Sequence, residues 1–342
     1  MKTDSVFIIA EAGVNHNGEI GLARQLIDVA VQAGADAVKF QTFKAENVVS
    51  KHAPKAVYQQ QTTDSAQSQL EMVKKLELSF DTFQKLKNYC DQKGILFLST
   101  PFDEESIDFL DELGLPLFKI PSGEIINFPF LKRIASKKKP IIMSTGMSTL
   151  DEVGQAVAAI KNKGNSAITL LHCVSNYPAE PKDANLKAMQ TMRSVFNLPV
   201  GFSDHTPGIE VALAAVALGA CVIEKHFTID RSLPGPDHRA SLSPEELKTM
   251  VQGIRIVEKS LGTGIKKPVL SEKNTAEVAR KSLVAAKDIF PGTILTRELI
   301  AIKRPGTGLP PSALETLLGR KVQKAVKADD LIQLDMLISD VS

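Results

Sequence analysis

The sequence predicts a (β/α)8 barrel, the TIM-barrel class of α/β fold, followed by a small, mostly β domain. Eight short apolar segments rich in β-branched residues recur along the chain, and a helical pattern follows each of them. Their interiors are almost continuously apolar, which is typical of parallel strands covered on both faces. A barrel of this class usually takes about 250 residues, which is close to the length over which the pattern persists.

The predicted strands are residues 6–11, 37–42, 95–100, 117–121, 140–145, 167–173, 198–203 and 221–227. Amphipathic segments lie between them, and several end near a glycine such as Gly34 or Gly94, the residue type that most readily ends a helix. A doubly wound sheet is the main alternative, but it usually has fewer strands and a glycine-rich first turn. Here the first turn reads EAGVNHNG and lacks GxGxxG. We therefore predict the barrel.

Three segments follow from the change in pattern along the chain. We predict a catalytic barrel over residues 1–264, a linker over 265–280 and a β-rich domain over 281–342, where short strands alternate with Pro-Gly turns. One insertion, residues 44–79, interrupts the barrel between its second and third strands. Since long ordered loops on a barrel usually serve function, we expect this insertion to cover a substrate.

Composition excludes several classes of protein. The formal net charge of the 342-residue chain is +2, so it carries no overall electrostatic attraction for nucleic acid. Its three cysteines are far apart, which argues against a disulfide framework or a structural zinc site. The longest apolar segment, 211–223, is shorter than the ~20 residues that span a bilayer, and the N-terminal segment is too short for a secretory signal. We expect a cytoplasmic protein that does not bind membranes.

Polar side chains stand at the carboxyl ends of the predicted strands, where barrel enzymes build their active sites. Lys39 and Lys119 end two different strands, and Thr100 and Ser144 end two others. Lysines near strand ends often only extend toward solvent. Two of them accompanied by hydroxyl groups indicate instead a site for a phosphate or carboxylate.

His205 and His226 follow the neighbouring seventh and eighth strands, so their imidazoles can converge on one metal ion. Taken singly, each is more often a hydrogen-bonded structural histidine, and no HExxH or CxxC motif supports a metal site. Glu124 can complete or orient such a site or act as an acid/base, and the sequence does not decide between these roles. A Schiff-base role for Lys119 is disfavoured because the surrounding KIPSGE is polar, not an apolar pocket that would lower the lysine pKa.

Motifs along nearly the whole chain resemble the sialic acid synthase family. They are, in order, IIAEAGVNHNG, AVKFQTFKA, FLSTPFDEESIDFL, FKIPSGEI, PIIMSTGMS, LLHCVSNYP, VGFSDHTPG, VIEKHFTID and GPDH. The tail, with KSLVAAKDI and IKRPGTG, resembles the C-terminal antifreeze-like (SAF) domain of that family, which has a β-clip fold. So many motifs in order make the resemblance specific.

The resemblance implies a transferase of sialic acid (nonulosonic acid) biosynthesis that condenses phosphoenolpyruvate with an N-acetylated amino-sugar aldehyde and water. In the mechanism that the resemblance implies, C3 of phosphoenolpyruvate attacks the aldehyde, water adds at C2, and phosphate leaves by C–O cleavage. The resemblance further implies a divalent metal, Mn²⁺ or Mg²⁺, held by His205 and His226. The residues implied to hold phosphoenolpyruvate are Lys39, Thr100, Lys119, Ser122 and Ser144. Those implied to position the sugar are Glu11, Gln41, Glu124, Tyr177 and Asp237.

The resemblance also implies a homodimer with swapped SAF domains, in which Arg304 reaches the sugar in the partner's barrel. Our candidate catalytic residues are Glu124, Lys119 and Glu11. The preferred sugar is N-acetylmannosamine, giving N-acetylneuraminate. The alternative is a di-N-acetylated hexose, giving N,N′-diacetyllegionaminate or pseudaminate. Asp64 departs from the family pattern in the insertion and carries no assigned role. A shorter sugar-acid synthase and a non-catalytic carbohydrate-binding protein are the remoter alternatives.

Overall fold

The computed structural model of the protein describes residues 5–64 and 66–338, without the side chain of Gln61. The chain divides into two compact units, Met1–Gly262 and Thr263–Ser342. The first corresponds to the predicted barrel, and the second holds both the segment predicted as a linker and the β-rich domain. Each unit has a hydrophobic core of its own.

The first unit is a parallel eight-stranded barrel, as predicted. Its strands are β1 Phe7–Gly13, β2 Ala37–Thr42, β3 Leu96–Pro101, β4 Phe118–Ile120, β5 Ile141–Ser144, β6 Ile168–Cys173, β7 Val200–Asp204 and β8 Val222–His226. Hydrogen-bonded neighbours run in the order β3-β2-β1-β8-β7-β6-β5-β4, and β3 also lies beside β4. The first strand pairs with the last, and the two end strands of this order, β3 and β4, lie side by side, so the sheet closes into a barrel.

Helices surround these strands. They are α1 Ile20–Ala33, α2 Ala45–Val48, α3 Val57–Thr62, α4 Gln69–Lys75, α5 Phe80–Lys93, α6 Glu104–Glu112, α7 Phe128–Ser136, α8 Leu150–Lys161, α9 Ala188–Phe196, α10 Glu210–Ala217 and α11 Pro244–Leu261. Gly34 and Gly94 take the left-handed conformation directly after α1 and α5, as the sequence predicts. No helix within 5–64 or 66–338 is long and apolar enough to cross a membrane.

The barrel interior is layered, because successive residues of a strand face opposite sides of the sheet. A buried apolar layer fills the barrel below its mouth: Ile9, Ala37, Leu98, Leu117, Ile142, Leu171 and Val222. Two residues further along six of these strands lie polar side chains on the same inner face: Glu11, Lys39, Thr100, Lys119, Ser144 and Glu224. Side chains between these positions pack outward against the helices. The apolar layer therefore forms a floor, and the polar layer stands above it.

The insertion between β2 and β3 folds into α2, α3 and α4. Its last helix begins at a capping box, in which the Ser68 hydroxyl accepts a hydrogen bond from the Glu71 amide. Glu77, just after α4, accepts a hydrogen bond from the Ala45 amide at 2.9 Å and so joins the two ends of the insertion. A side chain at Gly18 would lie 2.5 Å from the Lys75 carbonyl oxygen, so the β1–α1 loop lies tightly against α4. These contacts hold α4 in a fixed position.

The second unit contains two antiparallel strands, β9 Ser282–Ala285 and β10 Ile300–Lys303, together with isolated bridges such as Ile289 to Val326. Its helices are α12 Lys273–Ala279 and α13 Leu314–Leu317. The core of the unit is made by short segments that each contribute one or two apolar side chains, among them Leu283, Ile300 and Val322. The short strands and turns agree with the predicted β-rich domain.

Candidate active site

A cavity of about 440 Å³ opens at the carboxyl ends of the barrel strands. Eleven of the thirteen predicted site residues line it: Glu11, Lys39, Gln41, Thr100, Lys119, Ser122, Ser144, Tyr177, His205, His226 and Asp237. They come from strands and loops far apart in the sequence. The cavity has a polar floor and, on the side of the insertion, an apolar wall.

The floor holds two buried lysines, each fixed by a hydroxyl group. Lys39 Nζ donates to Thr100 Oγ1 at 2.8 Å, and Lys119 Nζ donates to Ser144 Oγ at 2.7 Å. Both lysine side chains are only 3% exposed. Positive groups fixed in advance at the bottom of a cavity bind an anion without reorganising, and they are worth more there than in water. This end of the cavity is therefore suited to a phosphate or carboxylate.

Two buried carboxylates neutralise the lysines. Glu11 Oε2 lies 2.8 Å from Lys39 Nζ, and Glu224 contacts both lysines, with Oε2 3.6 Å from Lys39 and Oε1 3.5 Å from Lys119. Burial raises the pKa of Glu11 to about 7, although Lys39 opposes the rise. Burial acts the same way on Glu224, but the two lysines prevail and hold its pKa down to about 2.

Glu224 is missing from the residues predicted to form the site. Its signal was present in the sequence, because it precedes His226 by two positions on a strand and therefore faces the same side. Ser203 stands in the same relation to His205 and also lines the cavity, where its hydroxyl donates to Glu224 Oε1 at 3.1 Å. Asp204 and Lys225 occupy the alternate positions and pair with each other at 2.6 Å, outside the cavity lining.

The polar sequence around Lys119 was a poor guide to its surroundings. Burial lowers the pKa of Lys119, while Glu224 opposes the change. The sequence does not show how deeply the amine is buried, although Ser122 and Gly123 of KIPSGE do line the same cavity. The Schiff-base role remains disfavoured on geometry, because the amine is held by Ser144 and faces Glu224.

His205 and His226 meet at the mouth, with ring centroids 5.7 Å apart. His205 Nδ1 must donate its proton to the Val174 carbonyl at 2.6 Å, which leaves Nε2 with a lone pair. His226 Nδ1 is buried without a hydrogen-bond partner among the described residues. Burial lowers the pKa of both imidazoles, so both are neutral at pH 7.

These properties fit a divalent ion held by two histidines, with its other positions left for water or substrate oxygens. Within residues 5–64 and 66–338, no three His, Cys, Asp or Glu residues are grouped to hold a metal. Gly13 supports the arrangement: its φ is +54°, and a side chain there would lie 3.3 Å from His226 Nδ1. The space beside that nitrogen is kept open by the absence of a side chain.

Tyr177 and Asp237 complete the mouth. The Tyr177 ring lies 4.2 Å from the His205 ring and 5.3 Å from the ring of Tyr58, which comes from α3 of the insertion. Burial raises the pKa of Tyr177 well above its usual value, so its hydroxyl stays protonated. Gln41 Nε2 donates to Glu11 Oε1 at 3.2 Å and orients that carboxylate.

Two predicted residues lie outside the described cavity lining. Glu124 belongs to a 3-10 turn after β4, where Asn127 Nδ2 donates to its Oε2 at 2.6 Å. Burial raises the pKa of Glu124, yet Ser122 and Gly123 line the cavity in its place. Arg304 lies in the second unit with its side chain exposed. Its predicted contact with a partner's barrel stays a prediction.

The insertion supplies the apolar wall. Met72 and Val73 of α4 and Leu76, which directly follows the helix, line the cavity together with Phe43 and Phe102. The Phe43 and Phe102 rings pack edge to face at 6.3 Å, and Leu76 packs in the same cluster. The sequence predicted a cover here, and residues of this segment do line the cavity. Such a wall suits an apolar group of a ligand.

Asp237 gives a pH-dependent prediction, because burial raises its pKa from 3.8 to about 6. A raised carboxyl pKa means that ionisation disfavours the folded state, so stability is lost as pH rises from below 4 through 6. Asp237→Asn removes this ionisation. We expect its free energy of unfolding, relative to the parent, to rise by up to about 3 kcal/mol between pH 4 and pH 7. Denaturant unfolding at several pH values measures the difference.

Replacing a carboxyl group by an amide also changes the free energy of unfolding by an amount that does not depend on pH. The prediction concerns only how the difference between Asp237→Asn and the parent changes with pH, so this constant amount cancels. Asp36→Asn is the control: it alters a half-exposed carboxylate that pairs with Arg255 at 2.8 Å. A difference between Asp237→Asn and the parent that stays flat from pH 4 to pH 7 would contradict the prediction.

A barrel that buries two lysines and two carboxylates beside two neutral histidines at the carboxyl ends of its strands has the features of an enzyme active site. The particular family follows from comparison with known proteins. The chain belongs to the NeuB family, whose profile matches residues 26–266, and a SAF domain profile matches residues 280–338. The resemblance seen in the sequence is thereby confirmed, and the chain is an enzyme of the transferase type.

Its relatives bear names of acid synthases. The chain is 52% identical to the N,N′-diacetyllegionaminic acid synthase of Campylobacter jejuni, covering 95% of this chain and 98% of that one. It is 51% identical to the protein of the same name from Legionella pneumophila, covering 94% and 92%. Among solved structures, the N-acetylneuraminic acid synthetase of Leptospira borgpetersenii in complex with citrate matches with a TM-score of 0.71 and 40% identity, covering 80% and 90%.

Proposed function

We propose that this protein condenses phosphoenolpyruvate with a di-N-acetylated amino sugar and water, giving N,N′-diacetyllegionaminate and phosphate. The observation that carries the proposal is the floor of the cavity, where Lys39 and Lys119 are buried and held by hydroxyl groups. Phosphoenolpyruvate carries two anionic groups, a phosphate and a carboxylate. A lysine ammonium group can bind each of them. The floor provides both.

The chain's own groups support each step. C3 of phosphoenolpyruvate attacks the sugar aldehyde, whose oxygen takes a proton; water adds at C2, and phosphate leaves with its bridging oxygen. Lys39 and Lys119 stabilise the phosphate as its charge grows. Glu11, with a pKa of about 7, is suited to give or take a proton near neutral pH, and Gln41 orients it. Glu124 keeps its proposed role as an acid/base for the water or as a group that orients the metal shell.

His205 and His226 are the residues that we propose hold a divalent ion, Mn²⁺ or Mg²⁺. The ion, when bound, would supply Lewis-acid polarisation of the aldehyde oxygen. The neutral state of the two rings, and a His226 Nδ1 that is buried without a partner among the described residues, support this assignment.

The identity of the sugar is a correction to our preference from the sequence. That preference was N-acetylneuraminate, but the relatives at 51–52% identity are named for N,N′-diacetyllegionaminic acid. The apolar wall agrees with the revised choice, because a second acetamido group adds a methyl that needs an apolar contact. A sugar with a hydroxyl group in place of this second acetamido group would need a polar partner there instead.

The proposal is tested with three sugars and one variant. We expect the di-N-acetylated substrate of legionaminate synthesis to have a kcat/KM at least ten times that of N-acetylmannosamine or of the pseudaminate precursor. Met72→Gln places a polar group in the wall and should reduce that preference by about tenfold, since a buried polar group without a partner costs about 1–3 kcal/mol. Steady-state kinetics at saturating phosphoenolpyruvate measures both effects.

Val57→Gln is the matched control, because Val57 lies in the same insertion but is 71% exposed. It should leave the ranking unchanged. N-acetylmannosamine as the best substrate would return the assignment to N-acetylneuraminate. If the enzyme converts any of these sugars without consuming phosphoenolpyruvate, the whole proposal is wrong.

We also propose a homodimer in which Arg304 of one chain serves the barrel of the other. Arg304→Ala is expected to raise the KM of the sugar several-fold more than that of phosphoenolpyruvate, because its guanidinium would touch only the sugar. At a sugar concentration well below the KM of Arg304→Ala, co-expression of Arg304→Ala with Lys119→Met should restore activity above that of either variant alone, since a mixed dimer would contain one intact site. Absence of restoration would place Arg304 in its own chain's site. Lys324→Ala, which changes an exposed lysine of the same unit, is the control.

The location of the protein in the cytoplasm stays a prediction.

A further inference from the structure

We propose that Glu224 is a positioning residue for the anion site: its carboxylate bridges Lys39 and Lys119 and fixes both ammonium groups where phosphoenolpyruvate binds. The inference rests on the proposed function for the identity of the anion. Glu224 stands at the end of the eighth predicted strand, and no role in the site was assigned to it from the sequence.

The geometry of the bridge carries the argument. Each oxygen of Glu224 faces a different lysine, at 3.6 Å from Lys39 and 3.5 Å from Lys119. Ser203 donates to Oε1 at 3.1 Å and fixes the rotation of the carboxylate. The Glu224 side chain is 7% exposed, so little solvent screens these contacts.

The two lysines depend on this carboxylate to different degrees. Lys39 is also paired with Glu11 at 2.8 Å, whereas Glu224 is the carboxylate in contact with Lys119. Without the bridge, two buried ammonium groups on one floor repel each other, and each gains by turning away. Lys119 would then keep only the Ser144 hydroxyl and the Ile120 carbonyl as close partners among the contacts described here.

The proposed role predicts that removing the negative charge of Glu224 weakens anion binding. A carboxylate beside an anion site repels the anion, so simple electrostatics predicts that removing the charge tightens binding. Positioning predicts the opposite, because the lysines lose the geometry that binds the anion. The two interpretations are therefore separated by the direction of a single measurement.

The test is Glu224→Gln in the full chain, studied by calorimetry with phosphoenolpyruvate and with inorganic phosphate at constant Mn²⁺. We expect both dissociation constants to rise at least tenfold, with the KM of the sugar unchanged. Glu224→Asp keeps the charge but is too short to reach both lysines, so its affinity should lie between those of the parent and Glu224→Gln. Unchanged or tighter binding by Glu224→Gln overturns the inference.

Controls keep the inference apart from stability and from the proposed function. Asp204→Asn alters a buried carboxylate that pairs with Lys225 on the outer face of the same strands, so it should lower stability without changing phosphoenolpyruvate affinity. If Glu224→Gln does not fold, parent-like affinity in Glu224→Asp overturns the inference instead. If the parent binds neither phosphoenolpyruvate nor phosphate, the proposed function is refuted. If the parent binds both and Glu224→Gln binds them equally well, only the positioning role of Glu224 is refuted.

Discussion

Lys119→Met is expected to lower kcat/KM for phosphoenolpyruvate by about 10²–10³-fold, the usual consequence of removing a preorganised charged group from an active site. The lysine is buried at the cavity floor and held by Ser144 at 2.7 Å, so its charge is aimed before substrate arrives. Methionine keeps most of the volume and removes the ammonium. Steady-state kinetics with varied phosphoenolpyruvate, at saturating sugar, measures the loss.

A loss of stability must be separated from a loss of function, because breaking a buried ion pair commonly costs about 3–5 kcal/mol. Lys225→Met is the matched control, since it breaks the buried pair with Asp204 on the opposite face of β8. It should be destabilised to a similar degree and still have a phosphoenolpyruvate KM close to that of the parent. Lys119→Met with more than a tenth of parental kcat/KM would remove this lysine from the anion site.

His226→Ala is expected to abolish metal-dependent turnover and to weaken Mn²⁺ binding by more than about 100-fold. Loss of a residue that only hydrogen-bonds to a metal ligand weakens binding by up to about 100-fold, so loss of a ligand itself should cost more. His226 Nδ1 is buried without a partner among the described residues, so an ion bound there would satisfy it. Titration with Mn²⁺, followed by its paramagnetic resonance signal, measures binding independently of activity.

His172→Asn is the control for this variant. His172 Nε2 lies 2.9 Å from the Ala184 carbonyl oxygen, and an asparagine amide can keep a donor near that oxygen. Its Mn²⁺ affinity should match that of the parent. If His226→Ala binds Mn²⁺ as tightly as the parent, the two-histidine site is wrong, whatever happens to activity.

Much of the fold was readable from the sequence, for reasons that lie in the backbone. Buried parallel strands must be apolar on both faces, so the eight strands appeared as continuous apolar runs, and the structure places a strand within or across each one. Gly34 and Gly94 marked helix ends because the left-handed conformation suits glycine. The folding of the insertion into α2–α4 was not readable, because short helices depend on packing more than on propensity.

The candidate site was partly readable for a related reason. In a barrel all strands end at the same rim, so any polar residue at a strand end is a candidate, and Lys39, Lys119, His205 and His226 were found this way. Glu124 was proposed by the same argument, but Asn127 holds it in a turn outside the described cavity lining. Proximity in sequence to a strand end does not say which way a loop side chain turns.

Local periodicity and strand direction were enough to predict the barrel, the second domain and the types of residue at the barrel mouth. Tertiary structure alone decided which of those residues act on one another. Glu224 faces both lysines only because β2, β4 and β8 curve round to one floor, and Lys225 beside it pairs with Asp204 on the other face. The physical reason is that burial, charge pairing and the resulting pKa values depend on distances across the barrel, which no stretch of sequence contains.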